Sequence, residues 1–258
     1  MNKISAVIIT YNEEKYIARC ISSLEPVADE IIVLDSCSTD RTPEICRKMN
    51  VRFFSKEFSG YRDQKNDAIS LASHQYILAL DADEALSPAL QTSILKAKSA
   101  WRYDAYRFNR LNCYCRQWIK HSGWYPERKI RLFDRSKGRW GGYNIHETIS
   151  MERGASIGYL KGDLLHWIHD SYEEHVSKIN RYSSIHAEEM FRAGFQASFL
   201  TAELHFIWRF FRMFFLRLGF LDGLNGLMVT SIESFSSFLK YAKLRQIYRR
   251  EKKGSQPV

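Results

Sequence analysis

In its first third the chain alternates short apolar runs with stretches of helical periodicity. Ile4 to Thr10 is apolar and β-branched, the make-up of a central strand. Asn12-Glu13-Glu14 opens a helix that carries Ile17, Cys20, Ile21 and Leu24 on one face. Glu30 to Leu34 is a second strand. It is halted by the polar loop Asp35-Ser-Cys-Ser-Thr-Asp40, whose last residue is placed to cap a helix running to about Met49. Val51 to Ser55 reads as a third strand and Gly60 to Ala72 as a third helix. Tyr76 to Leu80 is continuously apolar or aromatic, as in a strand buried on both faces. Strands and helices in this order predict a parallel α/β sheet with right-handed crossovers and helices on both faces.

After Ala100 the rhythm changes. Tyr103 to Leu111, Lys129 to Phe133, Ile157 to Leu160 and Leu164 to Trp167 read as strands, and Trp140-Gly-Gly-Tyr143 as a turn. Glu173 to Ala193, Phe199 to Leu218 and Leu227 to Leu244 read as helices, the last two separated by a glycine-rich stretch from Gly219 to Gly226. There is no internal repeat and no low-complexity linker before the last few residues. The expected division is an α/β domain over 1–197 and a basic helical region over 198–258.

Three acids follow the fourth strand within Asp81-Ala-Asp-Glu84. In open α/β sheets ligands bind just beyond the carboxyl ends of the strands. If the chain stays extended, Asp81 and Asp83 face the same side. Two hard oxygen donors aimed at one spot suit Mg²⁺ or Mn²⁺ shared with substrate phosphates. The same pattern also fits solvated acids at a strand end followed by a helix capped at Ser87.

Composition adds a core and a charge bias. Of 258 residues, 45% are hydrophobic and 14% aromatic, enough to bury a core; the net charge is +9. From His205 onward there are ten Lys or Arg against Asp222, Glu233 and Glu251, which points to an anionic partner. On the helix from Phe199, His205, Arg209 and Arg212 share one face, while Ile207, Phe210, Phe211, Phe214 and Leu218 lie opposite. Such a helix either lies in a membrane interface, with Lys240, Lys243, Arg245, Arg249 and Arg250 adding attraction to anionic lipid, or packs on the core with a solvated basic face. No apolar run reaches the roughly 18 residues of a spanning helix. Met-Asn-Lys-Ile-Ser leads straight into a strand, so no signal peptide is expected. The cysteines (Cys20, Cys37, Cys46, Cys113 and Cys115) are odd in number and form no pair of CxxC units; free thiols in a reducing cytoplasm are expected.

Five or more groups of residues occur in the order found in one enzyme family. Ile8-Ile-Thr-Tyr-Asn-Glu-Glu14, Ile32-Val-Leu-Asp-Ser-x-Ser-Thr-Asp40, Lys65-Asn66 and Asp81-Ala-Asp-Glu84 resemble an inverting family 2 glycosyltransferase of the GT-A, nucleotide-diphosphosugar-binding fold. Lys129-Ile-Arg-Leu-Phe133, Gly142-Tyr-Asn-Ile-His-Glu147, Leu165-His166, Lys178-x-x-Arg-Tyr-Ser183 and Gly219-Phe-Leu-Asp-Gly223 are similar to its lipopolysaccharide-core β-1,4-glucosyltransferase branch. The resemblance implies a UDP-sugar donor and assigns Thr10, Tyr11, Glu13 and Asp35 to the nucleotide. It makes Asp83 the direct ligand of Mn²⁺ or Mg²⁺, Asp81 a ribose or outer-shell partner, and His166 a further ligand. Lys65 would offset phosphate charge, and Asn66 would position the base or the acidic loop. Arg131, a charge inside an apolar strand, needs a partner. That partner is diphosphate or acceptor on one reading, Asp134 or Glu127 on the other. Glu147 is the candidate base that takes the acceptor proton, with His146 its rival or its orienter. The implied acceptor is a lipid-linked or lipopolysaccharide-core saccharide, which places the protein on the inner face of the cytoplasmic membrane.

Two other classes compete. A sugar-1-phosphate nucleotidyltransferase expects a glycine-rich loop after the first strand, and Tyr11-Asn-Glu-Glu14 holds no glycine. A non-catalytic polyanion-binding protein would use the basic end alone, but no motif that reads RNA or DNA is present and no nucleic-acid partner is expected.

Overall fold

The computed structural model describes residues 2–142, 147–198 and 200–254. The opening alternation is present as β1 (Ile4–Thr10), α1 (Ile17–Leu24), β2 (Glu30–Asp35), α2 (Thr42–Lys48), β3 (Arg52–Ser55), α3 (Tyr61–Ser70) and β4 (Tyr76–Asp81). The four strands pair in parallel in the order β3-β2-β1-β4. Thr10 stands opposite Asp35 and Ile9 opposite Asp81, so the carboxyl ends of three strands form one edge. Alternation along the strands buries both faces. Ile4, Ala6 and Ile8 pack with Ile17, Ile21 and Leu24 of α1, whereas Val7, Ile32 and Ala79 pack on the other side with Ala68 and Ile69 of α3.

Helix α1 begins five residues later than its polar opening suggests. Asn12 takes a left-handed conformation (φ 53°), and Tyr16 and Ile17 donate to the Glu13 carbonyl in a turn. Asn tolerates this geometry better than most residues.

Beyond β4 the sheet becomes mixed. It gains β5 (Glu84–Leu86), β6 (Ala105–Tyr114), β7 (Gln117–Ile119), β8 (Glu127–Asp134) and β11 (Ile157–His169), in the order β4-β8-β6-β11-β5 with β7 on β6. Pairs β4–β8, β6–β8 and β11–β5 are antiparallel. A helix α4 (Pro88–Ser99), capped by Ser87 as expected, lies between β5 and β6. Two sequence expectations change here. Trp140-Gly-Gly is not a turn: β9 (Gly138–Gly141) pairs with β10 (Thr148–Met151) in a separate hairpin. The two strands expected at 157–160 and 164–167 are one, because Gly162 carries the chain through φ 106° instead of ending it.

The described chain forms two compact units, one within Met1–Leu111 and Pro126–Trp167, the other within Asn112–Tyr125 and Ile168–Val258. In the second, α5 (Tyr172–Arg192) and α6 (Thr201–Phe211) both pack on α7 (Gly223–Gly254). The helix expected over 199–218 is interrupted: α6 gives way to a π-helical turn (Arg212–Leu216) and a 3₁₀ turn (Gly219–Asp222), and the path bends by 71° into α7. Asp222 explains the Gly-Phe-Leu-Asp-Gly motif. It is buried and accepts from the main-chain N–H groups of Lys120 and His121, at 3.2 and 2.8 Å. Two polar residues of α6 engage α7. His205 stacks on Tyr241 at 4.5 Å, and Arg209 donates to Ser237 (2.7 Å) and to Glu233. Much of the apolar side is open as well: Ile207, Phe211 and Leu218 are exposed. Among the described residues no single helix is long and apolar enough to cross a membrane.

Gly162 gives a direct check of this packing. A Cβ there would lie 2.3 Å from the Leu90 main-chain nitrogen, at a φ that side chains disfavour. Gly162→Ala should lower unfolding stability in urea by at least about 2 kcal/mol.

Candidate active site

The carboxyl edge of β1, β2 and β4 gathers Thr10, Tyr11, Glu13 and Asp35, as the motifs imply. The loops after β1 and β2 are tied to each other. Asn12 N–H donates to Ser38 Oγ, Thr39 N–H to Asn12 Oδ1, Glu13 N–H to Thr42 Oγ1 and Glu14 N–H to Asp40, all at 2.8–3.0 Å. Asp35 is buried, and both its oxygens accept from Ser38, through N–H and Oγ–H. Thr10 Oγ1 is buried with no hydrogen-bond partner among the described residues, and Tyr11 is 59% exposed at the rim. Asp40 accepts from Thr42 N–H at the start of α2.

The acidic run does not stay extended. β4 ends at Asp81, the chain turns through Ala82 and Asp83, and Glu84 starts β5. Asp81 and Asp83 consequently do not face one spot, which corrects the expectation of two converging carboxylates. Asp81 Oδ1 meets Lys65 Nζ and Oδ2 meets Arg131 Nη2, each at 2.9 Å. Asp83 Oδ2 lies 3.2 Å from His166 Nε2, and its carbonyl accepts from Trp167 N–H. Among the described residues no three His, Cys, Asp or Glu side chains gather into a cation cage, so Asp81, Asp83 and His166 are not a preformed set. Asp83 and His166 alone do fit a cation: donors about 2.1–2.2 Å from an octahedral ion and adjacent on it stand about 3 Å apart. Diphosphate oxygens and water would have to fill the other positions.

Asp81 belongs to a chain of alternating charge. Glu147 Oε1 accepts from Lys65 Nζ at 2.9 Å, and the same ammonium holds Asp81. Arg131 joins Asp81 to Glu84 (3.0 Å), Arg110 joins Glu84 (3.2 Å) to Glu127 (2.9 Å), and Lys129 ends the row on Glu127. Glu84 is fully buried and Arg131 is 4% exposed. Lys65 Nζ and the Arg131 guanidinium lie over the Trp140 ring, at 4.3 and 5.1 Å from its centre. Lys65, Asp81, Arg110, Arg131, Trp140 and Glu147 line a cavity of about 510 Å³. Burial pushes the Asp81 carboxyl up, but Lys65 and Arg131 overcome it and hold it well below the usual carboxylate range. Glu127 follows the same logic: burial raises it, and Arg110 brings it down to about 2.

Several assignments shift. Lys65 is not on a solvated helix face; it is buried between two carboxylates. Asn66 does not face the base or the acidic loop: its amide pairs both ways with the Trp140 main chain, at 3.0 and 3.1 Å, and so fastens α3 to β9. Arg131 pairs with Asp81 and Glu84 rather than with Asp134 or Glu127. Arg110, Glu127 and Trp140 are site residues that sequence reasoning missed. Arg110 carried no such signal as Arg131 did, because Arg107, Asn109 and Asn112 share its strand. Trp140 was hidden by its glycines, which read as a turn. His146 lies outside the described residues.

The profile of the family described as Glycosyl transferase family 2 matches residues 5–162. The chain belongs to this family. An uncharacterized glycosyltransferase of Rickettsia typhi is 34% identical over 96% of this chain and 88% of its own length. The lipopolysaccharide core biosynthesis glycosyltransferase LpsC of Rhizobium meliloti is 31% identical over 94% of this chain and 92% of its own. The crystal structure of S. aureus TarS 1-349 aligns over 95% of this chain and 91% of that one, at 17% identity and a TM-score of 0.47. The protein is thus a transferase with the GT-A α/β architecture, and the nucleotidyltransferase and purely polyanion-binding readings fall away.

Removing one member of the ion chain leaves its partners buried without compensation. Glu84→Gln should cost about 3–5 kcal/mol of unfolding free energy, while Glu44→Gln, at an exposed pair with Lys48, should leave the urea midpoint unchanged. Glu127 has a lowered folded pKa, so its contribution is complete above its ordinary value of 4.5 and is lost as pH falls toward about 2. Glu127→Gln should flatten the acid limb of the stability curve across that window, measured by urea unfolding at successive pH.

Proposed function

We propose that this glycosyltransferase moves a hexose, with inversion, from a UDP-sugar to a hydroxyl of a lipid-linked or lipopolysaccharide-core saccharide at the inner face of the cytoplasmic membrane. The observation that carries the reading is the placement of Glu147 in one cavity with Asp81, both held by Lys65. A carboxylate in the cavity beside the carboxyl edge of β4 is where transfer with inversion would use a base. The similarity to LpsC over 94% of the chain supports the acceptor class.

The donor's uridine is assigned to the edge formed by Thr10, Tyr11, Glu13 and Asp35. Asp35 keeps spare lone pairs for a base N–H beside its Ser38 bonds, and Thr10 Oγ1 lacks a partner that a ligand would supply. Asp83 and His166 are the residues to hold Mn²⁺ or Mg²⁺, the imidazole favouring Mn²⁺. Such an ion supplies charge neutralisation at the departing diphosphate. Lys65 and Arg131 add positive charge beside Asp81. Glu147 takes the acceptor hydroxyl proton as the acceptor oxygen bonds to the anomeric carbon and the bond from that carbon to the diphosphate breaks on the opposite face, releasing UDP. Lys65 positions Glu147 for this step, and Asn66 holds the wall that carries it. The second compact unit, with its helices α5 to α7, is read as the part that meets the membrane.

Glu147→Gln should bind UDP-sugar within about twofold of the parent by calorimetry while UDP release in the presence of acceptor falls by about 10² or more. Equal loss of both would make Glu147 structural and sink its role as base. Asp83→Ala and His166→Ala should each weaken Mn²⁺ binding, measured calorimetrically with UDP present, by about tenfold or more. Unchanged binding in both would remove them as ligands.

A further inference from the structure

The second unit leaves a continuous apolar surface open. On α6, Leu204, Ile207, Trp208 and Phe211 stand on one side with 45–61% of their surface exposed. Ring contacts carry the surface onward without a gap. Trp208 meets Phe211 at 6.3 Å, Phe211 meets Phe215 at 5.4 Å, Phe215 meets Phe214 at 5.2 Å and Phe214 meets Phe220 at 6.1 Å. Leu221 and Leu224, 57% and 68% exposed, complete it at the elbow into α7. The elbow is braced rather than loose, since buried Asp222 grips the main chain of Lys120 and His121. Monomeric soluble proteins rarely leave apolar side chains of this size contiguous and uncovered.

The charges around the surface identify its partner. Arg212 and Arg217 are exposed along it and form no ion pair among the described residues, and Lys120 is exposed beside the elbow. Between Leu204 and Ile232 the sequence holds one acid, Asp222, and that carboxylate is buried. A second copy of the chain apposed through this face would bring arginines against arginines with no carboxylate to relieve them. Anionic lipid headgroups over an acyl layer match both features. The polar contacts of α6 fit as well: His205 and Arg209 serve α7, and the headgroup contacts fall to Arg212, Arg217 and Lys120.

We propose that the surface from Leu204 through the 219–222 turn to Leu224 inserts into one leaflet of an anionic membrane, with the turn bearing Phe220 and Leu221 as its leading edge. The inference rests on the membrane reading above and names the inserting element and the lipid chemistry. The apolar side chains enter the acyl boundary and the cations meet lipid phosphates. No single helix among the described residues is long and apolar enough to cross, and the path bends by 71° at the turn, which places that turn at the tip of the proposed insertion.

The test is flotation of the full chain with vesicles of phosphatidylcholine alone or with roughly 30% phosphatidylglycerol. The wild type should float with the anionic vesicles and much less with the zwitterionic ones. Phe220→Ser/Leu221→Ser should weaken flotation by at least about tenfold, and Leu204→Gln/Ile207→Gln should do so independently. Both doubles should keep UDP-sugar binding and circular dichroism unchanged, which separates lost insertion from misfolding. Flotation unchanged in both doubles, or absent in the wild type, overturns the proposal. So does a wild-type dimer that the doubles turn into monomers without vesicles, which would assign the face to a second copy. If vesicle binding fails while sugar transfer persists, only this inference falls; if vesicles bind and no donor is used, only the catalytic reading falls.

Discussion

A guanidinium that water cannot reach sets the terms for everything around it. Arg131 sits on β8, and its Nη2 is shared by Asp81 at the end of β4 and Glu84 at the start of β5. Each ion so placed has lost several kcal/mol of hydration, and only close, alternating partners compensate it. The compensation runs outward from there, through Lys65 to Glu147 and through Arg110 to Glu127. None of these side chains can turn away without stranding a neighbour. The arrangement therefore does more to fix geometry than to add stability. It holds one acid of the Asp-x-Asp run among cations, leaves the other beside His166, and so separates two carboxylates that look alike in the sequence.

What could be read beforehand follows from the range of the interactions involved. The parallel half of the sheet depends on local alternation and on turn residues, so β1 to β4 and the helices between them were legible within a few residues. The placement of Thr10, Tyr11 and Asp35 was legible for the same reason, since they sit at strand ends that the apolar runs mark. The Ala82–Asp83 turn was not, because the apolar-to-acid transition looks the same whether the strand stops at Asp81 or continues. The ion chain was out of reach: residues 65, 81, 110, 127, 131 and 147 meet only once β4, β6 and β8 are side by side. The direction of α6 stayed open for another reason. Periodicity says that one side differs from the other, and it is silent on which side α7 will claim.

Asp222 shows how a motif that looks functional can be architectural. Its carboxylate replaces the missing hydrogen-bond partners of two main-chain N–H groups, and Gly219 and Gly226 admit a close approach that a Cβ would block, since Gly226 lies against the Gly219 carbonyl. The residues of the motif that carry no structural duty, Phe220 and Leu221, are the ones turned outward.

The β9–β10 hairpin has a consequence of its own. Gly141 pairs with Thr148, Asn66 clamps Trp140, and Lys65 reaches Glu147 from the same helix. Both stems of the connection are thus anchored to α3 just where it leaves and rejoins the sheet. On the proposal that Glu147 takes the acceptor proton, the base is thereby tethered to the same helix that holds the hairpin.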